Sequence, residues 1–453
     1  MTQDQFWEDY ELPEDEEESW EELQKEEKSA FIACLVKQGQ SDPEVDSALD
    51  ELERLADTAG IAVLGRYTQK RSQPERSTYF GKGFLEDLST RMFQVKADLL
   101  IVNDELSPMQ GRNIERDFQI KVIDRTEVIL SVFHDHAHTK EAKLQVKLAE
   151  LQYQLPRLRR LWGHFDKERG SARSTGGSAS RGMGEKQIEI DKRLIRKQIR
   201  RINRAIDQIT AHKETQRKQR ENSNKICLVG YTNAGKSTLF NRLTDAGVLV
   251  EDRLFATLDS TSRQLKLSTG APAVLSDTVG FISDLPHHLV ASFRATLMEA
   301  MDADLLLHVV DISDKRHEYY VEQVNKVLLS IGADKIDQVM VLNKCDLVAN
   351  SLSTMLSKYY ENAVSISAAK NQGIDALLSK IEEMLLNTRR YRLHLPYSQN
   401  ALVSRLHEIG NIETEDYRAD GIYLQVILGA RDKHLIQPYI IADEAELEHN
   451  PLT

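Results

Sequence analysis

Cysteine is scarce in this chain: three residues in 453, at Cys34, Cys227 and Cys345. No two stand at metal-ligand spacing, so neither a cysteine zinc site nor a disulfide scaffold is expected. They read instead as reduced, mostly buried thiols of a cytoplasmic protein. Long apolar runs are missing too. None approaches the roughly 20 residues that cross a bilayer, and the acidic N-terminus is unlike a signal peptide. An excess of positive charge is also absent. The net charge is −12, which taken alone argues against a polyanionic partner. What remains is ordinary globular composition, 41% hydrophobic, with length for about three domains and a large core.

The charge is unevenly spread. Residues 1–28 hold 13 acidic residues against two lysines, which predicts an acidic disordered tail. Residues 139–220 hold 22 Lys/Arg against nine Asp/Glu. A basic middle inside an acidic chain points to a local nucleic-acid contact, or to a solvated helical face that happens to be basic.

Residues 29–138 alternate strand and helix signals. Apolar runs at Phe31–Val36, Ile61–Leu64, Leu99–Val102 and Lys121–Ile123 read as strands. Helical spacing covers Val45–Ala59, opened by Asp42-Pro43, and another helix opens at Ser107-Pro108. The alternation predicts a small parallel α/β domain. The period changes in residues 139–221. Leu144, Leu148, Leu151 and Leu155 form one apolar stripe; Ile195, Ile199, Ile202, Ile206 and Ile209 form a second. The pair predicts an antiparallel helical hairpin, with Pro156 placed to kink the first arm. Its connecting loop, Arg169 to Gly184, is rich in Gly, Ser and Arg. Such a tip is either a flexible tether or a backbone able to follow RNA closely. Residues 222–388 form a nucleotide-binding domain. Asn387 to Tyr397 reads as a basic linker, and residues 389–453 close the chain as a small α+β unit. The sequence His134-Asp-His136-Ala-His138 has the look of a metal cluster, but no Cys or second His group stands near it. A polar, partly basic helix approach is expected there.

The chemistry centres on Gly230, Tyr231, Thr232, Asn233, Ala234, Gly235, Lys236 and Ser237, a G-x-x-x-x-G-K-S loop between an apolar strand and a helix-like run. Its glycines let successive N–H groups converge on phosphate oxygens at a helix N-terminus. Lys236 would reach the outer phosphates and Ser237 would ligate Mg²⁺. A second strand ends in Asp277, Thr278, Val279 and Gly280, a D-x-x-G. Asp277 would hold the Mg²⁺ shell through water and the Gly280 N–H would meet the γ-phosphate. Lys236 and Gly280 are therefore the candidate catalytic residues. A third strand runs into Asn343, Lys344, Cys345 and Asp346, an N-K-x-D. Its aspartate matches the two N–H donors on the guanine edge, which adenine lacks. Ser367, Ala368 and Ala369 follow a further apolar stretch and would offer N–H to the guanine carbonyl. The four elements in this order define a guanine-nucleotide domain with GTP as substrate.

Between the phosphate loop and D-x-x-G lies Phe255, Ala256, Thr257, Leu258, Asp259, Ser260 and Thr261. A switch threonine is needed there to ligate Mg²⁺, and Thr257 and Thr261 both qualify by chemistry. Phe281 stands where Ras-type enzymes place a water-orienting glutamine. Hydrolysis by the isolated chain is therefore expected to be slow. Asn233 is either a ligand for a potassium ion that supplies charge to the transition state or an asparagine that caps the loop.

Several stretches go beyond generic nucleotide motifs: Gly230–Ser237, Phe255–Asp259, Asp277–Ile282, Leu285-Pro286, Phe293–Leu297, Tyr79–Gly83, Val122–Thr126 and Lys143–Gln145. With these the chain resembles the HflX family of ribosome-associated GTPases over roughly residues 30–430. The resemblance implies Thr257 as the Mg²⁺ ligand. It also implies a large-ribosomal-subunit partner engaged through its RNA, and ribosome splitting or rescue under stress. Neither DNA nor a membrane is expected as a partner, and the chain is expected to be monomeric. The alternative is a GTP-gated RNA-binding scaffold in large-subunit biogenesis. In the hairpin tip Met183 and Lys186 stand where the family pattern has proline and threonine, and the preceding loop is longer by about seven residues. The fold class expected is α/β: a P-loop GTPase domain with a mostly parallel sheet and helices on both faces. A small α/β domain and the hairpin precede it, and the α+β unit follows.

Overall fold

A computed structural model of the chain describes residues 28–158, 179–218, 223–244, 254–255, 261–267, 272–283, 299–386, 389–428 and 433–443. The acidic tail lies outside these residues, except for Lys28. The chain divides into two compact units. The first comprises residues 1–219 with segments 249–259 and 282–296; the second holds the rest.

In the first unit a four-stranded parallel sheet has the order β2-β1-β3-β4. Its strands are β1 (Lys28–Val36), β2 (Ile61–Lys70), β3 (Leu99–Val102) and β4 (Val122–Asp124). β1 is buried without a break from Ala30 to Val36, as a central parallel strand covered on both faces must be. β2, at the edge, alternates buried or half-buried with exposed residues and is six residues longer than its apolar start foretells. Helices α1 (Asp42–Thr58), α2 (Lys82–Val95), α3 (Pro108–Phe118) and α4 (Arg125–His136) fill the connections. Proline near the first turn opens α1 and α3, and serines 41 and 107 precede them as N-cap residues. Asp124 caps α4 by accepting the Glu127 N–H at 3.1 Å.

The hairpin arms are α5 (Lys140–Gln154) and α6 (Ala179–Lys218). Leu144, Leu148 and Leu151 pack with Ile195, Ile202 and Ala205. Pro156 lies in a 3₁₀ turn that continues α5. α6 already begins at Ala179, so the last six residues expected in the loop are helical. Each glycine there costs about 1 kcal/mol against alanine, which is why the stretch reads as loop. The rest of that loop lies outside the described residues. His134 and His136 fall in the last turn of α4, and His138 lies just beyond it. His134 Nδ1 meets Glu150 at 3.1 Å and His136 Nδ1 meets the Val132 carbonyl at 2.8 Å. Among the described residues no group of three ligating side chains is placed to hold a metal ion.

The second unit carries a six-stranded sheet of order β10-β9-β8-β5-β7-β6, parallel except for β6. The strands are β5 (Asn224–Gly230), β6 (Thr261–Lys266), β7 (Pro272–Asp277), β8 (Leu305–Asp311), β9 (Gln338–Asn343) and β10 (Ala363–Ser365). Helices α7 (Lys236–Thr244), α8 (His317–Ile331), α9 (Asn350–Tyr359) and α10 (Ile374–Leu386) complete it. The chain leaves β5 toward β7 on one side and returns to β8 on the other. β5 is therefore the switch point where such sheets open a crevice beyond their strand ends.

A separate antiparallel sheet, β12-β13-β11-β14, closes the chain. Its strands are β11 (Arg389–Leu395), β12 (Asn411–Arg418), β13 (Gly421–Leu428) and β14 (Ile440–Asp443), with α11 (Asn400–Ile409) packed on it. The expected basic linker is therefore a strand. Tyr391, Leu393 and Leu395 alternate inward into the core with Leu406 and Leu424, and the arginines between them masked that period.

Candidate nucleotide site

β5 ends in Gly230 at φ +152°, where an added Cβ would lie 2.3 Å from the Val309 carbonyl oxygen. Gly235, at φ +91°, would place one 2.2 Å from Asn343 Nδ2. Both turns therefore need glycine. Asn233 sits between them at φ +59°, and α7 opens directly at Lys236. The loop thus turns its amides toward a helix N-terminus, a site made for anions.

Lys236 is buried, and its Nζ donates to the carbonyls of Gly230 at 3.1 Å and Tyr231 at 2.8 Å. Burial pushes its pKa down to about 8, against the opposing pull of Asp277. Asp277 is fully buried at the end of β7. Its Oδ2 accepts from Ser237 Oγ at 2.9 Å, and its Oδ1 has no partner among the described residues. Burial lifts its pKa to about 6, offset by Lys236 and Ser237. A hydroxyl beside a carboxylate with a free oxygen is a hard oxygen set, which fits Mg²⁺.

That buried carboxylate is a cost to the nucleotide-free protein. Asp277 has a raised folded pKa, so the folded state binds more protons than the unfolded one between about pH 4 and 6. Stability is lost as pH rises through that window. Asp277→Asn removes the penalty while keeping an acceptor for Ser237. Nucleotide-free Asp277→Asn should match wild type near pH 3.5 and exceed it by on the order of 1–3 kcal/mol above pH 6. Amide hydrogen exchange in β5 and β7 at several pH values, corrected for the intrinsic exchange rate, checks this; a difference that does not change with pH would rule it out.

The D-x-x-G segment is tied to the phosphate loop along its length. Thr278 Oγ1 donates to the Leu228 carbonyl at 2.6 Å. The Phe281 N–H donates to the Gly230 carbonyl at 3.1 Å, and the Thr232 N–H donates to the Phe281 carbonyl at 2.8 Å. Val279 and Phe281 are buried. A Cβ on Gly280 would lie 2.9 Å from Thr232 Cα and 3.0 Å from Lys236 Nζ, so glycine is required by close approach. Phe281 sits between these bonds with its ring buried, where a water-orienting side chain would have to be polar.

On the opposite side Asn343 acts as a bracket. Its Nδ2 donates to the Ala234 carbonyl at 2.8 Å and its Oδ1 accepts the Ala368 N–H at 3.1 Å. Lys344, at φ +61°, pairs with Asp311 at 2.7 Å. Cys345 donates its N–H to the Ile366 carbonyl at 3.1 Å. Asp346 meets Lys370 at 3.1 Å, and hydrogen bonding from Ser367 and Lys370 holds its carboxyl below the usual range. The Ser367 N–H is engaged with Gln372 at 3.0 Å. A guanine carbonyl would therefore share the Ala368 N–H with Asn343 or take that of Ala369.

Of the switch residues, Phe255 is buried at φ +57° in the first unit, its ring edge-on to Phe133 at 4.6 Å. Thr261 starts β6 opposite Asp277 in the ladder. Ala256, Thr257, Leu258 and Asp259 lie outside the described residues. Two supporting residues had no local sequence signal. Arg242 donates to the carbonyls of Ala368 and Ala369 at 3.0 Å each, and Asp311 holds Lys344. Their partners are more than 30 residues away, so only the fold reveals them.

A phosphate loop at the switch point of a parallel sheet, with D-x-x-G and N-K-x-D at neighbouring strand ends, defines a P-loop GTPase. Three family profiles match: "GTP-binding GTPase N-terminal" over residues 46–134, "GTP-binding GTPase Middle Region" over 136–220 and "50S ribosome-binding GTPase" over 225–344. GTPase HflX of Caldanaerobacter subterraneus is 39% identical over 425 residues, 93% of this chain and 96% of that protein. GTPase HflX of Magnetococcus marinus is 42% identical over 82% of this chain and 86% of its own length; that of Escherichia coli is 40% identical over 83% and 89%. The chain belongs to the HflX GTPase family. It binds GTP and hydrolyses it, with the Mg²⁺ use typical of such enzymes.

Proposed function

We propose that this GTPase acts on the large ribosomal subunit as a cytoplasmic, monomeric factor that splits or rescues ribosomes under stress. The observation that carries the reading is the match of residues 225–344 to a 50S ribosome-binding GTPase profile. The hairpin supports it. α6 buries Ile195, Ile202 and Ala205 on one face and exposes Arg193, Arg196, Lys197, Arg200 and Arg204 on the others. A basic, packed arm of this kind suits the phosphate backbone of ribosomal RNA. Among the described residues no helix is long and apolar enough to cross a membrane.

At the nucleotide, the amides of Asn233 to Lys236 would cradle the phosphates, with Lys236 released from its two carbonyls to meet them. Ser237 and Thr257 would ligate Mg²⁺, Asp277 would hold its water shell, and the Gly280 N–H would face the γ-phosphate. Asp346 would read guanine. Asn233 is the candidate potassium ligand. The bound metal neutralises charge between the phosphates; the chain's part is to position them.

With Phe281 in the glutamine's place, hydrolysis by the chain alone is slow in this reading, and the ribosome completes the site. Single-turnover hydrolysis in KCl should therefore rise at least about tenfold when large subunits are added, a modest fraction of the roughly 10³- to 10⁵-fold that a stabilising group supplied in trans can achieve. An unchanged rate at saturating subunits would remove the ribosome from the mechanism.

A further inference from the structure

Tyr231 is the first variable residue of the phosphate loop, and it is only 7% exposed. It stacks on Tyr320 of α8, with ring centroids 4.1 Å apart and planes 24° off parallel. Tyr320 is itself held. Its hydroxyl lies 3.5 Å from Asp314 Oδ2, and the Arg316 guanidinium stands 5.1 Å over its ring. Arg316 in turn pairs with Asp314 at 3.3 Å. The stack is thus joined to a small network at the start of α8.

The backbone of Tyr231 does three things at once. Its carbonyl accepts the Lys236 ammonium, it accepts the Ala234 N–H at 3.3 Å, and the residue bridges Phe281 in parallel register. Lys236 must leave that carbonyl to reach a phosphate, and Gly280 rides on the strand end that Phe281 anchors. Wherever the Tyr231 backbone sits, it sets both the resting place of the lysine and the approach of the Gly280 amide. Besides the bonds to Phe281, the ring stack holds that residue from outside the loop. A side chain such as leucine could fill the space but would not impose a plane.

We propose that Tyr320 is a positioning residue for GTP hydrolysis, acting through Tyr231 to hold the phosphate loop in register with Gly280. Tyr320 touches neither nucleotide nor metal ligand in this scheme. Its effect falls on the rate of the bound complex more than on binding, because the aligned geometry matters most in the transition state. An aromatic pair of this kind corresponds to about three- to tenfold in rate.

The test uses the full chain with Tyr320→Leu, which keeps apolar bulk, and Tyr320→Phe, which keeps the ring. The Leu variant should hydrolyse bound GTP about three- to tenfold more slowly in single turnover. Its GDP affinity should stay within about twofold. The Phe variant should return to within about twofold of wild type. Tyr231→Leu should lose the same factor and the double variant no more, because each removes the one stack. A wild-type rate in Tyr320→Leu, a Phe variant as slow as Leu, or additive losses in the double variant would each overturn the proposal. So would equal losses in rate and affinity. If Tyr320→Leu does not fold, the Phe variant and Tyr231→Leu decide by the same criteria.

Discussion

An Asp346→Asn protein should bind GTP at least about 100-fold more weakly and accept XTP in its place. On the guanine edge, N1–H and the exocyclic amine are two adjacent donors. A carboxylate supplies two acceptors and no donor. Asp346 is kept in that form by Ser367 and Lys370, which hold its carboxyl below the usual range. Asparagine supplies one acceptor and one donor. Xanthine carries a carbonyl where guanine carries the amine, so it matches asparagine and repels aspartate. The bracket made by Asn343 does not involve the Asp346 side chain, so the change should leave the phosphate loop in place. Displacement of a fluorescent GDP by GTP and by XTP measures both affinities. If XTP gains nothing, Asp346 does not read the base.

Arg125→Met should cost the first unit about 3–5 kcal/mol, the usual penalty for stranding one member of a buried ion pair. Arg125 and Glu51 meet at 2.5 Å with side chains only 6% and 7% exposed. Ser283 Oγ lies 3.0 and 2.8 Å from the two Glu51 oxygens, and Arg125 also donates to the Ser283 carbonyl at 3.2 Å and to Asn103 at 3.2 Å. Removing the guanidinium leaves a buried carboxylate without its paired cation. The double variant Glu51→Leu/Arg125→Met should recover most of the loss, because an apolar pair carries no desolvation cost. Amide hydrogen exchange in β1 and β3 is the appropriate measurement, since a chain of several domains does not unfold in two states. Equal protection in the single variant and wild type would mean that the pair contributes nothing.

The readable features share one property: they are local in sequence. The phosphate loop, the D-x-x-G and the N-K-x-D each place their working atoms within eight residues, and backbone geometry over so short a span follows from residue type. The same holds for the proline-opened helices α1 and α3 and for the buried run of β1. The leucine and isoleucine stripes of the hairpin were legible because one face of each helix is apolar at helical spacing. Local reading failed where local signals competed. Basic residues hid the inward alternation of β11, and the glycines near the start of α6 read as loop although a long helix carries through them.

Composition and spacing by themselves determined a guanine-nucleotide domain with a basic helical insertion before it, because the motif chemistry is carried by consecutive residues. Tertiary structure alone decided which distant groups hold that chemistry in place. Arg242 reaches Ala368 and Ala369 across 126 and 127 residues, and Arg125 reaches Ser283 across 158. Tyr320 finds Tyr231 only because β5 and β8 are neighbours in the sheet and α8 follows β8. Such partners are chosen by strand order and burial, and no spacing along the chain announces them.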